Sequence, residues 1–232
     1  MIADRVAAVR ERIARASARA GRRADEVTLV AVSKTFPAEA VSEAFAAGVV
    51  DFGENKVQEA ETKFEALRSL RGQGARFHLV GHLQGNKARK ALGLFDLIHS
   101  VDSIELGRRL ERLGAERSSP VEVLVQLELG GEATKHGLDE AHLFPVLEAL
   151  RGLKEVRVRG LMTLPPFFDQ PDRARPCFRR LRELCQRARR EELLYASELS
   201  MGMSHDLEVA IEEGATIVRV GTAIFGERAK TA

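Results

Sequence analysis

The chain has 232 residues, enough to bury a full core as two small domains or as one α/β barrel. Its 36 Lys plus Arg against 34 Asp plus Glu leave a formal charge of +2, too little by itself to argue for nucleic acid as a partner. No apolar run approaches the roughly 18 residues of a membrane span, and the Cys177 and Cys185 spacing in one helical pattern puts them about two turns apart, too far for a disulfide, as suits a reducing compartment.

The opening stretch, MIADRVAAVRERIARASARA, is rich in Ala and Arg, as a transit peptide is. Asp4 and Glu11 are acidic, however, and Ile2, Val6, Val9, Ile13, Ala16 and Ala20 recur at helical spacing. That pattern predicts an amphipathic helix within residues 1–21, packed on the rest of the chain.

After Gly21, strand-like and helix-like segments alternate. The predicted strands are VTLVAVSKT, VDFGEN, RFHLVGH, DLIHSVDS, VEVLVQLEL, VRVRGLMTL, ELSMGMS and TIVRVGTAIFG. Between them run the helical patterns PAEAVSEAFAAG, KVQEAETKFEALRSL, NKARKALGLF, SIELGRRLERLGAERSS, LDEAHLFPVLEALRGL, PDRARPCFRRLRELCQRARR and HDLEVAIEEG. Gly48 and Gly214 sit where C-terminal helix stops belong. Eight such repeats predict parallel strands with crossover helices, and a closed (β/α)8 TIM-type barrel accounts for the count. A doubly wound open sheet is the alternative, but its first βα turn would favour G-x-G-x-x-G, which is absent here. No linker or low-complexity run divides the chain. Residues 1–232 therefore read as one α/β barrel domain with an extra N-terminal helix, in the cytoplasm.

LVAVSKTFP, residues 29 to 37, ends a run made for a buried strand on a lysine. Only eight residues are Lys, against 28 Arg, so each lysine is informative. Burying an ammonium is costly unless it is paired or neutralised. Either the strand surfaces at Ser33 and leaves Lys34 in solvent, or Lys34 stands at a barrel mouth with its pKa lowered for imine formation. In a barrel, function gathers at the C-terminal strand ends, and polar residues fall at just those ends. At those ends stand Lys34, Asn55, His82, Ser100, Asp102, Met162, Thr163, the stretch from Ser200 to Ser204, Arg219, Gly221 and Thr222.

SMGMSHDLEVA and VRVGTAIFG follow the last two strands, where barrels often bind phosphate. Gly202 suits a turn and Ser204 a helix N-cap, and a first helical turn favours an anion. Gly221 lets backbone approach a ligand, and the Thr222 hydroxyl follows it. Arg219, inside an apolar strand, requires a buried acceptor, from a ligand or from a carboxylate of the chain. The first and eighth strands are neighbours in a closed barrel, which brings Lys34 beside Arg219. An aldehyde for the lysine, a ring acceptor for the arginine and a phosphate together describe pyridoxal 5′-phosphate.

LVAVSKT, FGENKVQE, FHLVGHLQGNK, IHSVDS, GLMTLPP and LSMGMSHDLEVAIEEGATIVRVGTAIFGER, spread over residues 29–228, resemble the pyridoxal-phosphate homeostasis protein family. These are single-domain barrels related in fold to the N-terminal domain of alanine racemase. The resemblance implies Lys34 as the Schiff-base lysine, Ser204, Gly221 and Thr222 at the phosphate, Arg219 at the pyridine nitrogen, and Asn55 near the ring. The chain departs from the family pattern at Phe77, where a Trp is usual, and at Gln126-Leu127-Glu128, where the family reads QVN. The second departure puts a carboxylate near the rim.

His78 and His82, four apart on a predicted strand, face the same way and read as hydrogen-bonded barrel histidines rather than as a metal pair, since no third ligand is evident. Lys56, Lys87 and Lys135 read as solvated, as does the Arg173–Arg190 helix face, and GGEATKHG, residues 130 to 137, as a loop or lid over the barrel mouth. The reading that follows is a binder of pyridoxal 5′-phosphate acting in vitamin B6 homeostasis, with apo-enzymes as recipients of the cofactor. It expects a monomer and no nucleic-acid, membrane or metal partner. It assigns no catalytic residue, because the only tyrosine, Tyr195, precedes the seventh strand and lies at the rim opposite Lys34. The alternatives are a racemase-like pyridoxal-phosphate enzyme acting on amino acids, and a phosphosugar-type barrel enzyme using Glu128 and Asp102.

Overall fold

The computed structural model describes residues 1–131 and 136–227. Its strands are β1 (Thr28–Val32), β2 (Asp51–Glu54), β3 (Arg76–Leu79), β4 (Leu97–Val101), β5 (Val121–Glu128), β6 (Leu138–Asp139), β7 (Val156–Thr163), β8 (Glu198–Ser200) and β9 (Ile217–Val220). The α-helices are α1 (Ile2–Arg19), α2 (Ala38–Ala46), α3 (Val57–Gly72), α4 (Ala88–Leu94), α5 (Ile104–Gly114), α6 (Leu143–Arg151), α7 (Arg175–Arg190), α8 (Leu207–Glu212) and α9 (Thr222–Phe225). All strand pairings are parallel, in the order β4-β3-β2-β1-β9-β8-β7-β5, and a β4–β5 pairing closes the ring. This is a TIM-type (β/α)8 barrel with an N-terminal helix, as the alternation of the sequence predicts. β1 pairs with β9 through Val30 and Arg219, so the first and eighth barrel strands are neighbours.

Two segments depart from the sequence reading. Residues 138–153 begin with the two-residue strand β6, which pairs with β5 at Leu127 and Glu128. The Asp139 carboxylate then accepts from Ala141 N–H and caps a 3-10 turn, so α6 starts only at Leu143. The last strand stops at Val220 because Gly221 turns the chain into the short helix α9. Gly48 and Gly214 do end helices, with φ of 86° and 102°, a conformation that glycine adopts without a Cβ penalty.

Most apolar side chains lie between strands and helices, in the outer core of a barrel. A smaller layer inside the barrel is made by Val30, Leu97, Leu124, Met162 and Ile217. Gly53 keeps room for it, since a Cβ there would lie 3.0 Å from Val30 Cγ1. α1 buries Val6, Val9, Ile13 and Ala16 and is tied to the far end of the chain. Arg12 grips the Glu208 carboxylate with two bonds of 2.6 and 2.8 Å, and Arg22 donates to the carbonyls of Ile211 and Ala215.

Candidate functional site

At the C-terminal end of the barrel a cavity of about 630 Å³ is lined by Lys34, Asn55, Ser204, Arg219, Gly221 and Thr222 together. Among the described lysines, Lys34 alone lines it; Lys56 is exposed, Lys87 is half-buried, and Lys135 lies outside the described residues.

β1 ends one residue before Ser33, whose N–H still donates to Gly53 O at 2.9 Å. The chain then turns through Lys34 and Thr35, which holds the left-handed φ of 69°. Such strain persists only where the surroundings enforce it, and here they do. Lys63 Nζ on α3 donates to Ser33 O at 2.8 Å, to Glu54 Oε1 at 2.9 Å and to Glu59 Oε1 at 2.9 Å. Ser33 Oγ donates to Glu54 Oε1 at 2.7 Å, and Thr35 N–H donates to Glu59 Oε1. Lys63 is thus the hub that pins the Lys34 turn. Its trace in the sequence is the Glu59 to Lys63 spacing of four on a helix, which alone says nothing of Ser33 or Glu54.

Burial raises the pKa of Glu54 above the ordinary carboxylate value, with Lys63 the main opposing influence. Lys63→Met should therefore destabilise the fold by about 3–5 kcal/mol at neutral pH, the usual cost of leaving a buried charge unpaired. The sign with pH is fixed. A carboxyl whose folded pKa is raised is penalised above its unfolded pKa, so the loss should shrink below roughly pH 4, where Glu54 is protonated in both states. Urea unfolding at the two pH values checks it. An equal loss at both would place the cost in packing.

On the neighbouring strand, Asn55 follows β2 and is half-buried. β2 and β3 approach so closely here that a Cβ at Gly81 would fall 2.2 Å from Asn55 O. Ser100 Oγ, one of the polar strand-end residues, does not line the cavity; it donates to Gly81 O at 2.7 Å and holds this approach from below.

Arg219 is 4% exposed. Its Nη1 donates to Ser200 Oγ at 2.5 Å and its Nη2 to Thr163 O at 2.9 Å. No carboxylate of the described residues pairs with it directly, so of the two acceptors the sequence allows, the chain supplies only neutral ones. Burial lowers its pKa to about 10, with the Asp206 charge opposing.

The two last βα loops meet where Ala223 N–H donates to Ser204 Oγ at 3.3 Å. Ser204 is not the N-cap of α8, contrary to the sequence expectation. That place belongs to Asp206, whose carboxylate accepts from Met203 N–H at 2.6 Å. Gly202 turns the loop at φ of 90°, as expected, but α8 is capped two residues later than the spacing suggests, which leaves Ser204 to line the cavity. Arg12 of α1 donates to Ser204 O at 2.9 Å. Gly221 caps α9 and Thr222 begins it.

His78 and His82 do not face the same way, because β3 ends at Leu79. His78 points into the barrel, between Asp51 and His99, at 2.9 Å from each. His82 stands at the rim, 3.2 Å from Asp102 and stacked on His136 with ring centroids 3.8 Å apart. His82, Asp102 and His136 bring their ligating atoms within 4.8 Å of one another, a third ligand that sequence reading did not find. The rings are parallel to within 10°, so their in-plane lone pairs run side by side rather than converge on an ion. Glu128 Oε1 accepts from Gly130 N–H at 2.6 Å and does not line the cavity. Of the loop read as a lid, residues 132–135 lie outside the described residues; His136 O accepts from Gln126 Nε2 at 2.6 Å.

Tyr195 is 43% exposed and donates its N–H to Val158 O near the start of β7, at the end of the barrel away from Lys34. The arginines of α7 are not simply a solvated face. Arg175, Arg179 and Arg182 converge on the carboxylate of Glu213. Cys177 and Cys185 are both free thiols, and burial pushes Cys185 up to about 12.

Known proteins share this architecture. The family model described as alanine racemase, N-terminal domain, matches residues 5–229. The pyridoxal phosphate homeostasis protein of Aquifex aeolicus is 44% identical over 97% of this chain and 97% of its own length. The protein of that name from Escherichia coli K12 is 38% identical over 98% and 97%. PipY of Synechococcus elongatus, solved with PLP bound, is 40% identical, with a TM-score of 0.85 over 97% of this chain and 100% of its own. Alanine racemase from Corynebacterium glutamicum, 21% identical at a TM-score of 0.67, shares the fold over 95% of this chain and 61% of its own. On sequence and architecture alike, the chain belongs to the pyridoxal phosphate homeostasis protein family, built on the alanine racemase N-terminal domain.

Proposed function

We propose that this chain binds pyridoxal 5′-phosphate in the barrel-mouth cavity, holds it as a Schiff base on Lys34, and serves the intracellular homeostasis of that cofactor. One observation carries the reading: a lysine, a buried arginine without a direct carboxylate partner, and a two-loop anion cup all line a single cavity. The residues present fit the group. Arg219 offers a donor to a ring nitrogen. The Ser204 and Thr222 hydroxyls, with backbone N–H at Gly221 and Thr222, suit a phosphate. Asn55 stands on the β2 side, where a ring would lie. When bound, the cofactor supplies a reactive aldehyde and an electron-accepting ring.

The rest of the site suits holding rather than turning over. Arg219 only donates and keeps a ring nitrogen unprotonated, which weakens the ring as an electron sink. The candidate second base of a racemase, Tyr195, stands at the far end of the barrel. Neither Asp102 nor Glu128 lines the cavity, so the two carboxylates that a phosphosugar enzyme would use stand away from it. We further propose that residues 1–232 act as one unit, a monomer that passes cofactor to apo-enzymes. Among the described residues no helix is long and apolar enough to cross a membrane.

The test is incubation of the cofactor-loaded protein with single-enantiomer alanine and other amino acids, following chirality and keto-acid formation. Rates close to free pyridoxal phosphate support a holder. Turnover well above that, abolished by Lys34→Ala, would instead establish an enzyme.

A further inference from the structure

Beneath the cavity a line of buried polar side chains crosses the barrel. Arg219 Nη1 lies 2.5 Å from Ser200 Oγ, which lies 2.8 Å from His99 Nδ1. His99 Nε2 lies 2.9 Å from His78 Nδ1, and His78 Nε2 lies 2.9 Å from Asp51 Oδ1. Every member is 5% exposed or less. The line ends at a second cavity of about 430 Å³, beside α1 at the other end of the barrel, where Asp51 joins Arg10 and Asp25 in the lining. Arg76 completes the partners of Asp51, with Nε at 2.8 Å and Nη2 at 2.9 Å.

The direction of each bond follows from what each group can do. A guanidinium only donates, so Ser200 Oγ accepts from Arg219. The Ser200 hydroxyl proton then needs an acceptor, and among the described residues His99 Nδ1 is the one in reach. With Nδ1 accepting, His99 carries its proton on Nε2 and donates to His78 Nδ1. His78 in turn carries its proton on Nε2 and donates to Asp51. Burial presses His99 toward its neutral form, helped by His78 and Arg219. Hydrogen bonds from His78 and Arg76 outweigh the burial of Asp51 and favour its carboxylate.

We propose that Ser200, His99, His78 and Asp51 form a one-directional hydrogen-bond relay that orients Arg219, with both imidazoles neutral and protonated at Nε2. These four are positioning residues. The relay gives the Arg219 charge a remote counter-charge in Asp51 through aligned dipoles, which a low-dielectric interior strengthens. Arg219 is thereby fixed without spending its donors on a neighbouring carboxylate. Its consequence for cofactor binding rests on the proposed place of Arg219 at the ring nitrogen, whereas the tautomers do not.

Two measurements test it. The first is long-range 1H–15N NMR of the protein without cofactor, its six histidines assigned by substitution. Nε2–H neutral signatures are expected for His78 and His99. A proton on His99 Nδ1, or a doubly protonated His78, reverses the direction and overturns the relay whether or not cofactor binds. The second compares His78→Leu with His78→Gln by visible-absorbance titration with pyridoxal 5′-phosphate. The glutamine amide accepts from His99 and donates to Asp51, so it should bind within about twofold of the unmodified protein. Leucine breaks one link and should weaken binding about 3- to 10-fold, the worth of one hydrogen bond. Should His78→Leu not fold, Ser200→Ala against Ser200→Thr gives the same contrast. Equal binding by broken and preserved relays would sink the link to Arg219. No binding by any form, with the expected tautomers intact, would remove the cofactor reading and leave the relay standing.

Discussion

Lys34→Ala is expected to abolish the covalent attachment of pyridoxal 5′-phosphate, taking a borohydride-fixed label from one per chain to background. The lysine emerges directly from β1 and lines the cavity, and its turn is braced from behind by Lys63, Glu54 and Glu59. Its Nζ therefore starts from a backbone position that few rearrangements are free to move. The check is peptide mapping of the reduced complex, beside the visible spectrum of the variant. Recovery of the label mainly at Lys56, Lys87 or Lys135 would move the attachment site elsewhere.

Removing both hydroxyls of the anion cup should have the next largest effect on binding. Each charge-assisted hydrogen bond to phosphate contributes about 1.5–3 kcal/mol, so each of Ser204→Ala and Thr222→Ala should weaken binding roughly 10- to 150-fold. The two side chains share one ligand and one pair of loops, joined by the bond from Ala223 N–H to Ser204 Oγ, so their effects should not add independently. Pyridoxal lacking the phosphate serves as the control, and should bind weakly to all forms and distinguish little between them. Full affinity in the double variant at matched salt would show that phosphate is held somewhere else.

Much of this site is legible before any coordinates, because a barrel converts one-dimensional position into place. A polar residue just past an apolar run must stand at one rim, and Lys34, Asn55 and Thr222 each do so, while Arg219 reaches the cavity from inside β9. Ser204 lines the cavity for a reason other than the N-cap its position suggests: the turn falls at Gly202 as expected, but the residue capping α8 is Asp206, two residues further on. Local spacing does not resolve a difference of two residues in a loop. Lys63 is hidden for another reason. It sits on a helix whose charge pattern reads as solvated, and only the packing of α3 on β2 brings it to Glu54.

The relay is the part least visible in sequence. His78 and Asp51 are 27 residues apart, and His99 and Ser200 are 101. In DFGE, LIHSV and IVRV a single polar residue falls on the inward parity of the strand, and in RFHL Arg76 and His78 share that parity. That repeated interruption is the available signal, but which of these residues meet depends on strand stagger, which no local pattern records.

The bond from Arg12 to Ser204 O and its grip on Glu208 also set a timetable. α1 is made before the loops it braces, which follow it by nearly 200 residues. Contacts so distant in sequence form late, since the intervening loop must be closed before they contribute. The apolar stripe of Val6, Val9 and Ile13 must wait for that stretch to be made before it meets its final surface, a period in which exposed apolar faces invite misassembly. The mouth cavity and the closed barrel therefore come into being together, and a partly made chain lacks the enclosure that the proposed cofactor site requires.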